Sequence, residues 1–233
     1  MKFTVLTLFP DMIRPFVEQS ILGRAQQAGA ITVSLRNLRD WATDKHHTVD
    51  DAPYGGGAGM VLKVDVIDRA LAELRTPTTT VVLLTPTGRR FTQAAARTFA
   101  DGNRDLLLLA GHYEGFDERV RSLVDEEISI GDFVLTGGEL PAVMLLDAVA
   151  RLLPNVLGNP ASSHEESFSD THPLEYPHYT RPDSYAPVSR DVGTLVVPEI
   201  LTSGNHAAIE AWRAKQSTRR ANETATRDSE PQA

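Results

Sequence analysis

The chain contains no cysteine, and that absence removes disulfides, thiolate metal sites and cysteine nucleophiles together. It suits a reducing compartment, and a cytosolic, cytoplasmic protein is expected. Nowhere does the sequence hold the roughly 18 consecutive apolar residues that a membrane-spanning helix needs. Its first apolar stretch, residues 3–9, is interrupted by Thr4 and Thr7 and ended by Pro10 and Asp11. No small-residue cleavage site follows, so a signal peptide is not expected. An excess of positive charge is missing too: 23 Lys and Arg stand against 31 Asp and Glu, for a net charge of −8. That balance speaks against nonspecific coating of nucleic acid but leaves room for a local basic patch.

What is present is enough apolar material for a core: 41% of 233 residues can build one large domain, or a main domain with a small second one. Residues 2–9 read as a buried strand and residues 11–27 as a helix, spaced through Met12, Phe16, Ile21 and Leu22 and stopped by Gly29. A second strand over 31–38 completes a β-α-β opening, which predicts a parallel pair with a right-handed crossover. Residues 39–61 have no stable period and are dense in charge and glycine, so a long surface loop is expected. Helices over 64–74 and 92–100 alternate with strands over 80–85, 106–110 and 128–130, with Pro86 and Gly88 as a turn. This is the pattern of an α/β protein with a mainly parallel sheet covered on both faces.

Two apolar runs end in glycine and carboxylate. Residues 106–110 lead into Gly111-His112-Tyr113-Glu114-Gly115, and 128–130 into Gly131-Asp132. Gly137-Gly138 then precedes Pro141 and an apolar helical segment ending near Pro154. One such turn is readily explained as loop punctuation. Two at the carboxyl ends of parallel strands make a crevice, where open α/β sheets bind ligands through backbone groups exposed by glycine. Gly55-Gly56-Gly57-Ala58-Gly59 lacks the Gly-Lys-Ser/Thr of a P-loop and the preceding strand of a dinucleotide fingerprint.

The blocks GHYEGFDERV (111–120), SIGDFVLTGGELPA (129–142), LTPTGRRFTQ (84–93) and VDDAPYGGGAGMVLK (49–63) resemble the motifs of the bacterial tRNA (guanine-N1)-methyltransferase family, of the SPOUT class. The likeness runs from residue 1 to about 219. It implies a deep trefoil knot in the chain after Thr85, whereas physical base rates alone favour a doubly wound sheet. It implies S-adenosylmethionine as cofactor, with Mg2+ as an optional companion ion and no protein metal site. It also implies tRNA as substrate, a homodimer whose cofactor site lies at the subunit interface, and methylation of the guanosine just 3′ of the anticodon (position 37), in support of reading-frame maintenance. The cofactor would meet Leu84, Thr85, Pro86 and Gly88, then Gly111, His112, Tyr113, Glu114 and Gly115. On the third turn it would meet Ser129, Ile130, Gly131, Phe133, Leu135, Thr136, Gly138, Leu140 and Pro141. Tyr54, Gly55, Gly56, Gly57, Gly59 and Lys63 would grip the substrate. The domain plan that follows is a knotted cofactor-binding domain over 1–158 and a flexible linker over 159–172. A small helical tRNA-binding domain over 173–219 and a disordered tail over 220–233 complete it. Relatives carry a longer basic and aromatic ending and lack the extra residues of 188–196.

Methylating N1 of guanine requires a carboxylate base for the N1 proton and a cation for the charge that builds on O6. Candidate bases are Glu114, Asp132, Glu139, Glu165, Glu166 and Asp170, each of which also suits an ordinary role as a solvated or capping carboxylate. Aligned on the family's pattern, Glu166 falls at the base, an aspartate in relatives, and Arg151 at the O6-stabilising arginine. His112 falls where relatives usually carry arginine, and an imidazole is cationic only near or below a pKa of about 6.5. His46, His47 and His164 show no metal-ligand spacing and read as surface or RNA-facing residues. A noncatalytic RNA-binding relative and a methyltransferase of the same fold with another RNA target remain as alternatives.

Overall fold

Leu106, Leu107, Leu108 and Leu109 are all buried, because successive side chains point alternately into two separate cores. Leu106 and Leu108 join Phe3, Val5 and Val82 on one face of the sheet, while Leu107 and Leu109 join Leu6, Val81 and Leu83 on the other. A strand reads as a continuous apolar run only when both faces of its sheet are covered. In the computed structural model, which describes residues 1–158, 167–168 and 174–229, the chain divides after Gly158 into two compact units.

The first unit runs β1 (Lys2–Thr7), α1 (Pro10–Val17), α2 (Ser20–Gln27), β2 (Thr32–Asn37), β3 (Asp50–Asp51), β4 (Val61–Leu62), α3 (Val64–Leu74), β5 (Thr79–Arg90), α4 (Gln93–Asp101), β6 (Asp105–Ala110), β7 (Glu126–Ser129) and α5 (Glu139–Ala150). Five strands form one sheet in the order β2-β1-β6-β5-β7, and every pairing in it is parallel. The α/β class with a mainly parallel sheet is as expected. Ile13 and Val17 of α1, Leu22 and Ala25 of α2, Phe99 of α4 and the inner side of α5 cover one face. Val66, Ile67, Ala70 and Leu71 of α3 cover the other.

Three segments of the first unit differ from expectation. The single helix over 11–27 is two, broken between Val17 and Ser20, where Ser20 takes a φ of 52°. At about 100° per residue an unbroken helix would aim Leu22 about 140° away from Val17; the break brings both into one core. Met12 and Phe16, which by spacing belong to the apolar face, are instead 53% and 55% exposed. The loop over 39–61 contains a turn of 3-10 helix (Leu38–Trp41) and the antiparallel β3–β4 pair, which buries Val49 and Leu62. The turn at Pro86 and Gly88 lies inside a strand: β5 resumes beyond it, and Leu84 and Arg89 both register with Ile128 of β7. Residues 85–88 therefore form a bulge, as suits a proline that has no N–H for the ladder.

In the second unit β8 (Ser184–Tyr185) pairs antiparallel with β9 (Leu195–Val196), so residues 188–196, expected to be an addition to the family's pattern, belong to a hairpin. Helix α6 (His206–Ser229) starts at Asn205, whose Oδ1 accepts the Ala208 N–H at 3.2 Å. It does not stop at Arg219, and the disordered tail expected over 220–233 is helix as far as Ser229. Alanine, arginine and glutamate are good helix formers, and Arg219 and Glu223 pair one turn apart at 2.7 Å. The guanidinium of Arg213 lies over the Tyr176 ring, and the Ser217 hydroxyl donates to the Leu174 carbonyl.

Candidate active site

A cavity of about 430 Å3 opens where three segments of the first unit meet: the bulge of β5, the turn after β6 and the turn after β7. The turn after β6 bends sharply, with Tyr113 at φ 60° and Gly115 at φ 110°. The Gly138 N–H donates to the Gly111 carbonyl at 2.7 Å, and His112 bridges to Gly137, which zips this turn to the next. A Cβ at Gly138 would lie 2.7 Å from the Ala110 Cα and 2.8 Å from the Gly111 nitrogen. Close approach of backbone to backbone thus demands glycine there, before any ligand is considered. The turn after β7 is closed by Ser129, whose Oγ donates to the Gly131 carbonyl at 3.1 Å.

The lining includes Leu84, Thr85, Pro86, Gly111, His112, Tyr113, Glu114, Gly115, Ser129, Ile130, Gly131, Phe133, Leu135, Thr136, Gly138 and Pro141, all singled out from the sequence. Gly88 and Leu140 are outside it. Gly88 is pressed against the backbone of Glu127 and Ile128, and Leu140 is half-exposed on α5. Thr87, Asp117, Glu118, Arg121, Val134 and Gly137 line it without having been singled out. Of these, Gly137 was legible beside Gly138, whereas a charged side chain on a short 3-10 turn leaves no periodic signal.

The wall over 114–121 is electrostatically fixed. Arg119 grips Asp117 through Nε at 2.9 Å and Nη2 at 2.7 Å and also donates its backbone N–H. That guanidinium grip, helped by the backbone bond, lowers the Asp117 carboxyl to about 2. Asp117 is therefore ionised at neutral pH and a weaker base than an ordinary carboxylate. Glu139, 3% exposed, receives a hydrogen bond from Thr7, and its other oxygen lies 4.0 Å from His112 Nδ1. The imidazole of His112 stands edge-on to the rings of Phe9 and Tyr113.

The glycine loop runs beside this wall. The Glu114 N–H donates to Met60, the Leu62 N–H to Gly115 and the Asp117 N–H to Leu62. Gly55, Gly56, Gly57 and Gly59 all have positive φ, and Tyr54 is fully exposed. Lys63 precedes α3, with Nζ 4.0 Å from Asp65. None of these six residues lines the cavity itself.

A family model described as tRNA (Guanine-1)-methyltransferase TrmD matches residues 1–228. The chain belongs to this family. A relative from Carboxydothermus hydrogenoformans named tRNA (guanine-N(1)-)-methyltransferase is 53% identical over 218 residues, covering 93% of this chain and 83% of its own. Relatives of the same name from Desulfitobacterium hafniense and Chloroflexus aggregans are 55% and 54% identical over 94% of this chain, covering 81% and 84% of theirs.

Of the pair that the family's pattern suggests for catalysis, Arg151 caps the end of α5, its N–H donating to Asp147 at 3.1 Å. Glu166 lies outside the described residues, as do Glu165, Asp170 and His164. Glu114 and Asp132 are exposed, and Asp132 sits 3.7 Å from Arg90. Among the described residues no three His, Cys, Asp or Glu side chains gather into a metal-holding group, and no helix is long and apolar enough to cross a membrane.

Proposed function

We propose that this member of the tRNA (guanine-1)-methyltransferase family methylates N1 of the guanosine immediately 3′ of the anticodon, position 37, with S-adenosylmethionine as donor, and so supports reading-frame maintenance. The observation that carries this is the glycine-framed cavity of about 430 Å3 between three turns of a parallel sheet. Its size lies in the range of small-molecule sites, about 300–1,000 Å3. Gly111, Gly137 and Gly138 bring backbone to its surface, Leu84, Ile128 and Pro141 give it apolar walls, and Thr85, Ser129 and Glu114 supply polar groups. That donor set fits a nucleoside with a charged tail.

Bound S-adenosylmethionine supplies a methyl group already activated by its positive sulfur. The chain's part is orientation and proton handling. Glu166 takes the proton from guanine N1, and Arg151 offers its guanidinium to the charge that builds on O6. Tyr54, the glycines of 55–59 and Lys63 meet the tRNA beside the wall over 114–117. The second unit adds further tRNA contacts. A trefoil knot through the segment after Thr85 and a cytoplasmic location belong to the same reading.

A homodimer is supported by two helices that pack together, α1 and α5. They present Met12, Phe16, Leu140 and Met144 half-exposed, and exposed apolar groups of that size mark contact surfaces.

The decisive test supplies the protein with labelled S-adenosylmethionine and tRNA transcripts that differ at the nucleotide 3′ of the anticodon. Methyl transfer confined to transcripts with guanosine there is expected. Equal labelling of all transcripts would place the target elsewhere, and no labelling despite cofactor binding would point to a noncatalytic RNA-binding relative.

A further inference from the structure

Arg121 uses every nitrogen of its guanidinium where two walls of the cavity adjoin. Nε lies 3.0 Å from Glu118 Oε1, Nη1 lies 3.1 Å from Glu127 Oε2, and Nη2 donates to Thr87 Oγ1 at 2.6 Å. These partners belong to three different segments: the 3-10 turn over Glu118–Leu123, strand β7 and the bulge of β5. Thr87 Oγ1 is in turn 3.0 Å from Thr85 Oγ1.

The bulge needs such a tie. Leu84 and Arg89 both register with Ile128, so the residues between them are out of step with the ladder and the sheet does not fix where their tip lies. Thr85, Pro86 and Thr87 line one side of the cavity, Asp117, Glu118 and Arg121 another. The bond from Arg121 to Thr87 spans the two. A single solvated ion pair would hold little. Here Glu127, whose side chain is only 26% exposed, anchors the guanidinium from β7, while the more solvated Glu118 steadies it from a second side, so its third nitrogen is directed at the hydroxyl.

We propose that Arg121 is a positioning residue for the cofactor: by holding Thr87 it fixes the β5 bulge against the adjoining wall and so sets the shape of the cavity there. This rests on the reading that the cavity takes S-adenosylmethionine.

The test measures the affinity of full-length protein for S-adenosylmethionine by calorimetry, for Arg121→Met, Thr87→Val, Thr87→Ser and the Arg121→Met/Thr87→Val double variant. Arg121→Met and Thr87→Val are each expected to weaken binding about tenfold, with the KM for S-adenosylmethionine rising by a larger factor than kcat falls. Thr87→Ser, which keeps the hydroxyl, should bind as the parent does. The double variant should be no weaker than the weaker single one, because both remove the same tie. Parent-like affinity of either single variant, or losses that multiply in the double variant, would overturn the proposal. Hydrogen exchange of the Thr87 and Gly88 amides in ligand-free protein reads the same tie without cofactor: Arg121→Met should speed it, and unchanged exchange would refute the tie. If the parent bound no S-adenosylmethionine, the assigned ligand would fall, and this exchange measurement would still decide the role of Arg121.

Discussion

Thr7 and Glu139, 132 positions apart, share a buried hydrogen bond of 2.6 Å from the threonine hydroxyl to Oε1 of the carboxylate. It joins the end of β1 to the first residue of α5, where the helix dipole favours a negative charge. The same hydroxyl accepts the Phe9 N–H at 2.9 Å. Thr7→Val keeps the shape and removes both bonds, leaving a buried carboxylate short of a donor. Stability should fall by about 1–3 kcal/mol, read as a lower urea midpoint with unchanged slope. An unaltered midpoint would mean that the bond contributes nothing.

Gly138 is predicted to be intolerant for a reason internal to the fold. A Cβ there meets the backbone of Ala110 and Gly111, and neither can move without displacing β6. Gly138→Ala should cost about 1–3 kcal/mol by overpacking, visible as a lower thermal midpoint without any ligand. A parent-like midpoint combined with lost cofactor affinity would instead assign the glycine to ligand contact.

Asp117 makes acid stability testable. Its carboxyl is held at about 2 in the folded chain by Arg119, below the usual value of about 3.9 for an unfolded aspartate. A depressed folded value means that the stabilisation is complete above about pH 4 and fades as pH falls towards 2. Asp117→Asn should be less stable than the parent at neutral pH, with the difference shrinking across that window. A difference constant from pH 6 to pH 2 would contradict the Arg119 assignment.

Glu166→Gln keeps the shape of the side chain and removes the base. Turnover should drop about a hundredfold or more, with S-adenosylmethionine affinity unchanged. Near-parent methylation in a single turnover would send the proton to another carboxylate, Glu165 or Asp170 first.

Affinity for tRNA should fall as salt rises despite the net charge of −8, because phosphate contacts come from local lysines and arginines. Filter binding between 50 and 200 mM salt, a range over which about six such contacts cost roughly a thousandfold, is the measurement. A flat salt response would rule out a phosphate-led interface.

The sheet was legible because its central strands are buried on both faces: a short, unbroken apolar run such as 106–110, bounded by polar turn residues, suits a doubly covered strand, and its length favours strand over helix. The cavity was legible where glycine marks close approach, at Gly111, Gly131 and Gly138. Arg121 was not, since nothing in a local stretch shows that an arginine reaches Thr87, 34 positions away. The break between α1 and α2 was hidden for a related reason: Met12 and Phe16 keep helical spacing but face outward. Spacing records that a face is apolar, and it does not record what covers that face. Beyond Arg219 the missing apolar period suggested disorder, whereas charge pairs one turn apart, such as Arg219 with Glu223, were the signal that mattered.

Because both shoulders of the β5 bulge meet the same residue, Ile128, the number of residues between them is not counted by the sheet. One more or one fewer could leave each strand in step with its neighbour, while displacing Thr87 and Gly88 and changing the mouth of the cavity. The fold thus carries a dial for ligand shape that lies outside the register of its sheet.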